Sequence, residues 1–572
     1  MASRSLYQSP SGPSYSLYTI LWIFFLSLSA VANALAYPPQ KLLAETRPVD
    51  DTLSVSLDDL SKDASLKDSN ATPAETLQDL LGALRGMQDH YFVMWMGTWP
   101  SSIDWTAAVL GTHVVATLSS YTSSKLDVVD PTESHLSVAL AVENTVNQFF
   151  TQMNTFYFGE NAFSLRNQAY DDMLWVVLDW LENIKFQDLH TNLHFPSSDP
   201  ASEGSWYGTQ FRQSAAHRAR IFYDLASAGW DKTLCGGGMI WNPVLIPYKN
   251  AITNELYISA SIAMYLYFPG DPIDSPFITN VQANGTYPHN PAHLKSAVDA
   301  YAWLKNSNMT GAGGLYADGF HISGWQSASD PGTGKCDELN KMVYTYNQGV
   351  VLSGLRGLWI GTGDQSYLRD GHELVHKVLR ATGWPQTSSK KWVGLGRGGV
   401  LEEACDSYSS CSQNGQTFKG IFFHHLAEFC RPLRPQEERF LAAEKRQPIA
   451  DEGWEDVYTR HLKRCRTYGP WIEHNARAAL ITRDDDGKFG TWWGIEFQQP
   501  PSATSADTVN SSTLPAGAVD YRNVEFETDA HAFDGVPRDF NDRGRGRTVE
   551  TQSGGVAVLR ALYQWQTSDV LT

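Results

Sequence analysis

Residues Ala169-Tyr-Asp-Asp-Met-Leu-Trp-Val-Val-Leu-Asp-Trp180 set two carboxylates directly before a run that is apolar on nearly every side. A surface helix carries one apolar stripe, so a helix apolar all round is buried all round. Outward from this stretch, apolar residues recur with helical spacing at 137–153, 173–186, 254–268, 294–305 and 348–360, then at 366–382, 418–430, 455–466, 471–481 and 554–565. Alternating strand patterns are scarce. Buried helices interleaved with one-sided ones predict an all-α protein in two layers, a toroid of helical hairpins or α/α barrel. The connections at 196–208, 268–291 and 499–517 are long and rich in Gly, Pro, Ser and aromatic residues, the last being a Ser/Thr/Pro insertion. Loops of that kind at one end of a barrel suit a carbohydrate cleft.

The chain opens with Arg4, an apolar run at 21–28 and small residues Ala30, Ala32, Ala34 and Ala36, the layout of a secretory signal peptide at 1–36. Residues 37–73 are polar and acidic and read as a disordered leader; 74–572 read as the barrel domain. No later stretch approaches the ~20 apolar residues of a membrane span, and residues 559–572 lack the continuous apolar tail of a lipid-anchor signal. A secreted protein, extracellular or wall-associated and without a membrane anchor, is expected. With 44 Lys and Arg against 62 Asp and Glu, the net charge of −18 gives no footprint for nucleic acid or anionic lipid, so a neutral or sugar partner is expected. Six cysteines, none in a CxxC, imply disulfides after secretion, with connectivity open. Sequons stand at Asn70, Asn284, Asn308 and Asn510.

Asp171 and Asp172 are the candidate catalytic residues. Retaining glycoside hydrolysis needs a nucleophile and an acid/base with carboxyl groups roughly 5–5.5 Å apart, and neighbouring Cα atoms ~3.8 Å apart allow that separation when the side chains diverge. Each charge opposes ionisation of the other, while a helix N-terminus favours an anion, so one carboxyl stays protonated and the other is charged. The competing duty is capping, which Asp performs readily in a first helical turn.

The stretch resembles the AYDDxxWW signature of glycoside hydrolase family 76, the α-1,6-mannanases and related wall-mannan enzymes. The resemblance continues in order through Cys235-Gly-Gly-Gly-Met-Ile-Trp241, Tyr248-Lys-Asn-Ala-Ile-Thr-Asn-Glu255, Leu315-Tyr-Ala-Asp-Gly319, Thr345-Tyr-Asn-Gln-Gly349, Gly361-Thr-Gly-Asp-Gln-Ser-Tyr-Leu368, Leu401-Glu-Glu-Ala-Cys405 and Thr417-Phe-Lys-Gly-Ile421. It implies an (α/α)6 barrel and retaining endo-hydrolysis of α-1,6-mannan without a cofactor, with Asp171 as nucleophile and Asp172 as general acid/base. Val176 departs from the family's second Trp. Two alternatives use the same site: a wall transglycosylase that grafts mannan-bearing glycans, or a mannan-binding wall protein without turnover.

For substrate binding, Trp175 and Trp241 offer flat faces for pyranose rings, and Asn250, Asn254, Asn347 and Gln348 offer donors and acceptors for hydroxyls. Tyr346, in the same block as Asn347, completes the set. Core packing for the tryptophans and helix capping for the amides are their competing duties. Lys249 and Lys419 are expected to pair with carboxylates and Asp318 to serve a turn. No metal is expected. His372-Glu-Leu-Val-His376 matches the HExxH of zinc peptidases formally, but its histidines lie beside the apolar stripe of an outer helix, with Glu402 and Glu403 the nearest candidates for a third ligand. Asp484-Asp-Asp-Gly487 lacks calcium-loop spacing and reads as a polar turn.

Overall fold

The computed structural model describes residues 71–568 apart from 131, 157–166, 199–203, 274–286, 444–452, 498–513 and 524–538. The expected signal peptide, the leader up to residue 70, the sequons at Asn70, Asn284 and Asn510 and the insertion near Thr508 lie outside the described residues.

Helices alternate between an outer and an inner layer along the chain. Outer α1 (Pro73–Tyr91) leads to inner α2 (Asp104–Thr122), and α3 (His135–Asn154) to α4 (Tyr170–His194). In the same way α5 (Arg212–Ser227) leads to α6 (Ala251–Tyr267) and α7 (Pro291–Asn306) to α8 (Tyr346–Thr362). Then α9 (Ser366–Ala381) leads to α10 (Gln413–Cys430) and, past an additional outer helix α11 (Trp454–Arg466), α12 (Gly469–Ile481) leads to α13 (Val549–Thr567). The inner helices pack side by side in the order α2, α4, α6, α8, α10, α13 and back to α2, closing the ring. The toroid of helical hairpins expected from the sequence is thus present, with six inner members among the described residues.

The layers follow from composition. Every residue from Thr106 to Ser119 of α2 and from Val549 to Trp565 of α13 is buried, whereas α9 buries a stripe of Leu368, Gly371, His372, Val375, Val378 and Leu379. Inner helices approach closely where side chains are small: a Cβ added at Gly349 of α8 would lie 2.6 Å from the Phe422 Cα of α10. At the start of α1, Thr72 and Glu75 form a capping box and Pro73 occupies the first turn.

Because the inner helices run the same way, their first turns meet at one end of the ring. There the Trp105 indole donates to Asn414 at 2.9 Å, the Thr106 hydroxyl donates to Glu550 at 2.9 Å, and the Tyr346 and Phe418 rings stack at 3.8 Å. A small antiparallel sheet borders this end, with Lys249–Asn250 and Glu338–Asn340 on either side of Gly319–His321. Three disulfides, Cys235–Cys336, Cys405–Cys411 and Cys430–Cys465, account for all six cysteines; the last ties α10 to α11. Among the described residues no helix is long and apolar enough to cross a membrane.

Toward the opposite end the ring is laced by buried charge. Glu428 of α10 accepts from Lys185 of α4 at 2.9 Å, from Arg560 of α13 at 2.7 Å and from Arg431 at 2.8 Å. Burial opposes its charge, yet the three cations hold its carboxyl well below the usual range. Deleting it strands buried positive charge, so Glu428→Ala is expected to lower stability by about 3–5 kcal/mol, read as an earlier transition in chemical denaturation. An unchanged transition would show that the network does not hold the ring.

Candidate active site

The two aspartates sit where the first turns of the inner helices converge. Ala169, the cap residue of α4, offers no side-chain acceptor. A neighbouring loop anchors the helix start instead: the Tyr170 amide donates to the Trp241 carbonyl and the Trp241 amide to the Tyr248 carbonyl, both at 2.8 Å. Asp171 and Asp172 follow in the first turn, where unpaired amides and the helix dipole favour negative charge. Asp171 is 4% exposed and its Oδ1 accepts from the Asp172 amide at 3.2 Å, while Asp172 is partly exposed.

Their environments separate them. Burial pushes Asp171 up to about 6, and the Arg522 cation and nearby amides restrain that rise. Asp172 is pushed well above the usual carboxylate range, by burial first and by the Asp171 charge second; Asp104 adds to this and Arg522 opposes it. Of the two, Asp171 is the more readily ionised and Asp172 holds its proton to higher pH.

Sequence reasoning missed Arg522. Its Nη2 lies 3.5 Å from Asp171 Oδ2 and its guanidinium stands 5.2 Å from the centre of the Trp241 ring. The segment bearing it is fixed by side chains on the other wall. Asn340 exchanges two hydrogen bonds with the Val519 backbone at 2.8 Å, the Tyr344 hydroxyl donates to Asp520 at 2.7 Å, and Asn523 accepts from the Ser412 amide at 2.8 Å. The only available signal was the cluster Asp520-Tyr-Arg-Asn523 within loop-like sequence.

The expected substrate-binding residues divide into two groups. Trp175, Asn254 and Gln348 make extensive contacts within the protein. Trp175 is 4% exposed and stacks on Trp105 at 5.5 Å. Asn254 accepts from the Met239 amide at 2.7 Å and donates to the Asn250 carbonyl at 2.7 Å. Gln348 accepts from the Tyr316 amide at 2.8 Å and donates to the Tyr316 and Tyr344 carbonyls. Each amide is needed because a loop buried beside the ring must have its backbone groups paired.

The second group retains unpaired polar atoms. The Trp241 indole N–H, the Asn250 Nδ2, both amide atoms of Asn347 and the Tyr346 hydroxyl have no hydrogen-bond partner among the described residues. Asn250 also caps α6 by accepting from the Thr253 amide. Glu255, on the same helix, is buried with both carboxyl oxygens unpaired, and burial pushes it well above the usual range. Asp318 does more than make a turn: its Oδ2 accepts from the Tyr248 hydroxyl at 2.6 Å and from Asn340 at 3.2 Å, and its charge adds to the field on Arg522. The two lysines pair as expected, Lys249 with Asp231 at 3.1 Å and Lys419 with Asp406 at 2.6 Å.

Of the polar residues of the formal zinc motif only His372 is buried, while Glu373 and His376 are exposed. His372 bonds to the Tyr468 hydroxyl at 2.7 Å and to His461 at 2.9 Å, Glu373 pairs with Lys377 at 2.8 Å, and the adjacent Cys465 sulfur is held in a disulfide. Glu402 bonds Trp492 at 2.9 Å and Glu403 the Thr345 amide at 2.8 Å. The grouping Cys405, Asp406 and Cys411 likewise consists of a disulfide and a lysine-paired carboxylate. At the acidic turn, Asp484 accepts from the Asp486 and Lys488 amides at 3.0 and 2.8 Å.

Comparison with known proteins agrees with this anatomy. Mannan endo-1,6-alpha-mannosidase DCW1 of Candida glabrata is 22% identical over 286 residues, 46% of this chain and 53% of that protein. Its namesake in Saccharomyces cerevisiae is 24% identical over 236 residues, 40% of this chain and 41% of that protein, so the chain spans about half the length of the curated relatives it matches. Among solved structures, Dfg5 from Chaetomium thermophilum in complex with glucosamine superposes with a TM-score of 0.50 at 14% identity, over 87% of this chain and 93% of that one, a likeness of fold. The family described as glycosyl hydrolase family 76 matches residues 96–447, more than half of the sequence, and the chain belongs to that family.

Proposed function

We propose that this chain is a secreted, retaining endo-α-1,6-mannosidase that cleaves α-1,6-mannan. The observation that carries the reading is the adjacent Asp171–Asp172 pair in the first turn of an inner helix of a family 76 barrel, with Asp171 buried beside Arg522. The names of the curated relatives supply the substrate class. The disulfides support an oxidising compartment.

In the first half-reaction the Asp171 carboxylate attacks the anomeric carbon while Asp172 gives its proton to the departing glycosidic oxygen. A covalent mannosyl-enzyme and a shortened chain result. In the second, Asp172, now a carboxylate, takes a proton from water as the water oxygen attacks the anomeric carbon; the bond to Asp171 breaks, and its electron pair returns to a carboxylate beside Arg522 and the helix terminus. Trp241, Asn250, Tyr346 and Asn347, with unpaired polar atoms, are the residues proposed to meet sugar hydroxyls.

Two measurements test this. With a linear α-1,6-mannooligosaccharide, Asp172→Asn is expected to lower kcat/KM by about 10²–10⁴ and Asp171→Asn by at least as much, with a chelator changing nothing. Longer products would identify a transglycosylase, and binding without turnover would identify a mannan-binding protein. The pH profile of kcat/KM is expected to be bell-shaped. Activity falls below about 6 as the Asp171 nucleophile takes up a proton, and falls on the alkaline side, above the usual carboxylate range, as Asp172 loses the proton it must donate. A profile flat across the acid range would remove Asp171 from the role of nucleophile.

A further inference from the structure

An apolar face is still needed in a mannan site, because a pyranose ring presents C–H groups as well as hydroxyls. The two tryptophans that the sequence nominates are both engaged. Trp175 is stacked in the core on Trp105, and Trp241 has the Arg522 guanidinium over its ring. We infer that Tyr521 is the sugar-stacking platform of this cleft, an outer subsite for a mannose ring on the wall that also carries Arg522. This inference rests on the proposed mannosidase reading and extends it to a residue outside the matched family segment 96–447.

Tyr521 is 52% exposed, although the residues around it are tightly held. Asn340 clamps Val519, Tyr344 holds Asp520, and Ser412 binds Asn523. An exposed aromatic ring on a pinned backbone needs little further ordering to accept a ligand, which is why tyrosine suits such surfaces. Its neighbours place it at the site. Arg522, next in the chain, touches Asp171, and the Tyr521 ring meets Tyr248 at 6.5 Å and His321 at 5.9 Å. Both ring contacts are nearly perpendicular, at 82° and 86°, so neither neighbour stacks face to face on Tyr521. Tyr248 is itself joined to the Trp241 loop through the backbone and to Asp318 through its hydroxyl, so the platform and the carboxylate pair share one rigid frame.

The test uses the full chain with α-1,6-mannooligosaccharides of increasing length, measuring kcat and KM and, in an Asp172→Asn background, Kd by calorimetry. Tyr521→Ala is expected to raise KM and Kd about tenfold for chains long enough to reach the platform, with kcat changed less and the shortest substrate unaffected. Tyr521→Phe keeps the aromatic face and should restore affinity. Tyr521→Gln, which keeps bulk without the face, gives the same reading as alanine should the alanine variant fail to fold. If wild type turns over substrate while the alanine or glutamine variant keeps wild-type KM and Kd at every length, the platform is wrong and the enzyme reading stands. The platform is equally overturned if phenylalanine binds as weakly as alanine. Failure of the wild-type chain to cleave or bind any α-1,6-mannoside would overturn the enzyme reading and this subsite together.

Discussion

Two carboxyl groups on adjacent residues, buried at the end of a helix, cannot both carry full charge, since a low-dielectric surrounding magnifies their repulsion. The site is organised around resolving that conflict. Burial raises both carboxyls; Arg522 and nearby amides restrain Asp171, while the Asp171 charge adds to the rise of Asp172. The ring makes the arrangement possible because its inner helices bring their first turns together, so other carboxylates collect there as well. Glu402 and Glu403 are pushed up by burial to about 7 and about 8. The end of the barrel where the inner helices begin is thus a place where burial raises acids toward neutrality.

The two ends of the ring solve the same problem in opposite ways. At the carboxylate end, acids outnumber nearby cations and keep protons. Toward the other end, Glu428 and Glu437 are surrounded by Lys185, Arg356, Arg431 and Arg560 and remain charged well below the usual range. Buried ion pairs of that sort are costly to assemble and costlier to break. They cross-link α4, α10 and α13 well along their lengths from the first turns that carry the aspartate pair.

Much of the fold was legible because burial leaves different marks on inner and outer helices. Runs such as 173–181 and 554–565 carry apolar or small residues on all sides, while 366–382 shows one stripe, and that contrast is what two concentric layers require. The aspartate pair was legible because its neighbours in sequence are its neighbours in space. The packing of Trp175 was not legible because it is set by Trp105, seventy residues upstream, and a tryptophan one turn beyond an acid has the same local pattern whichever way it faces. The partners of Asn254 and Gln348 were not legible because the backbone groups they brace belong to loops whose paths no local pattern reveals. Arg522 had only the faint signal of a polar cluster in loop-like sequence, since its significance is a distance to Asp171.

That distance spans 351 positions of sequence. During synthesis the aspartate pair emerges long before the segment that supplies its counter-charge, and α13, which closes the ring against α2, also comes after most of the barrel. An incomplete barrel carries both acids without the cation that favours charge on one of them. The difference between the two carboxyls, which needs burial and Arg522 together, is thereby tied to the finished topology rather than to the local sequence itself.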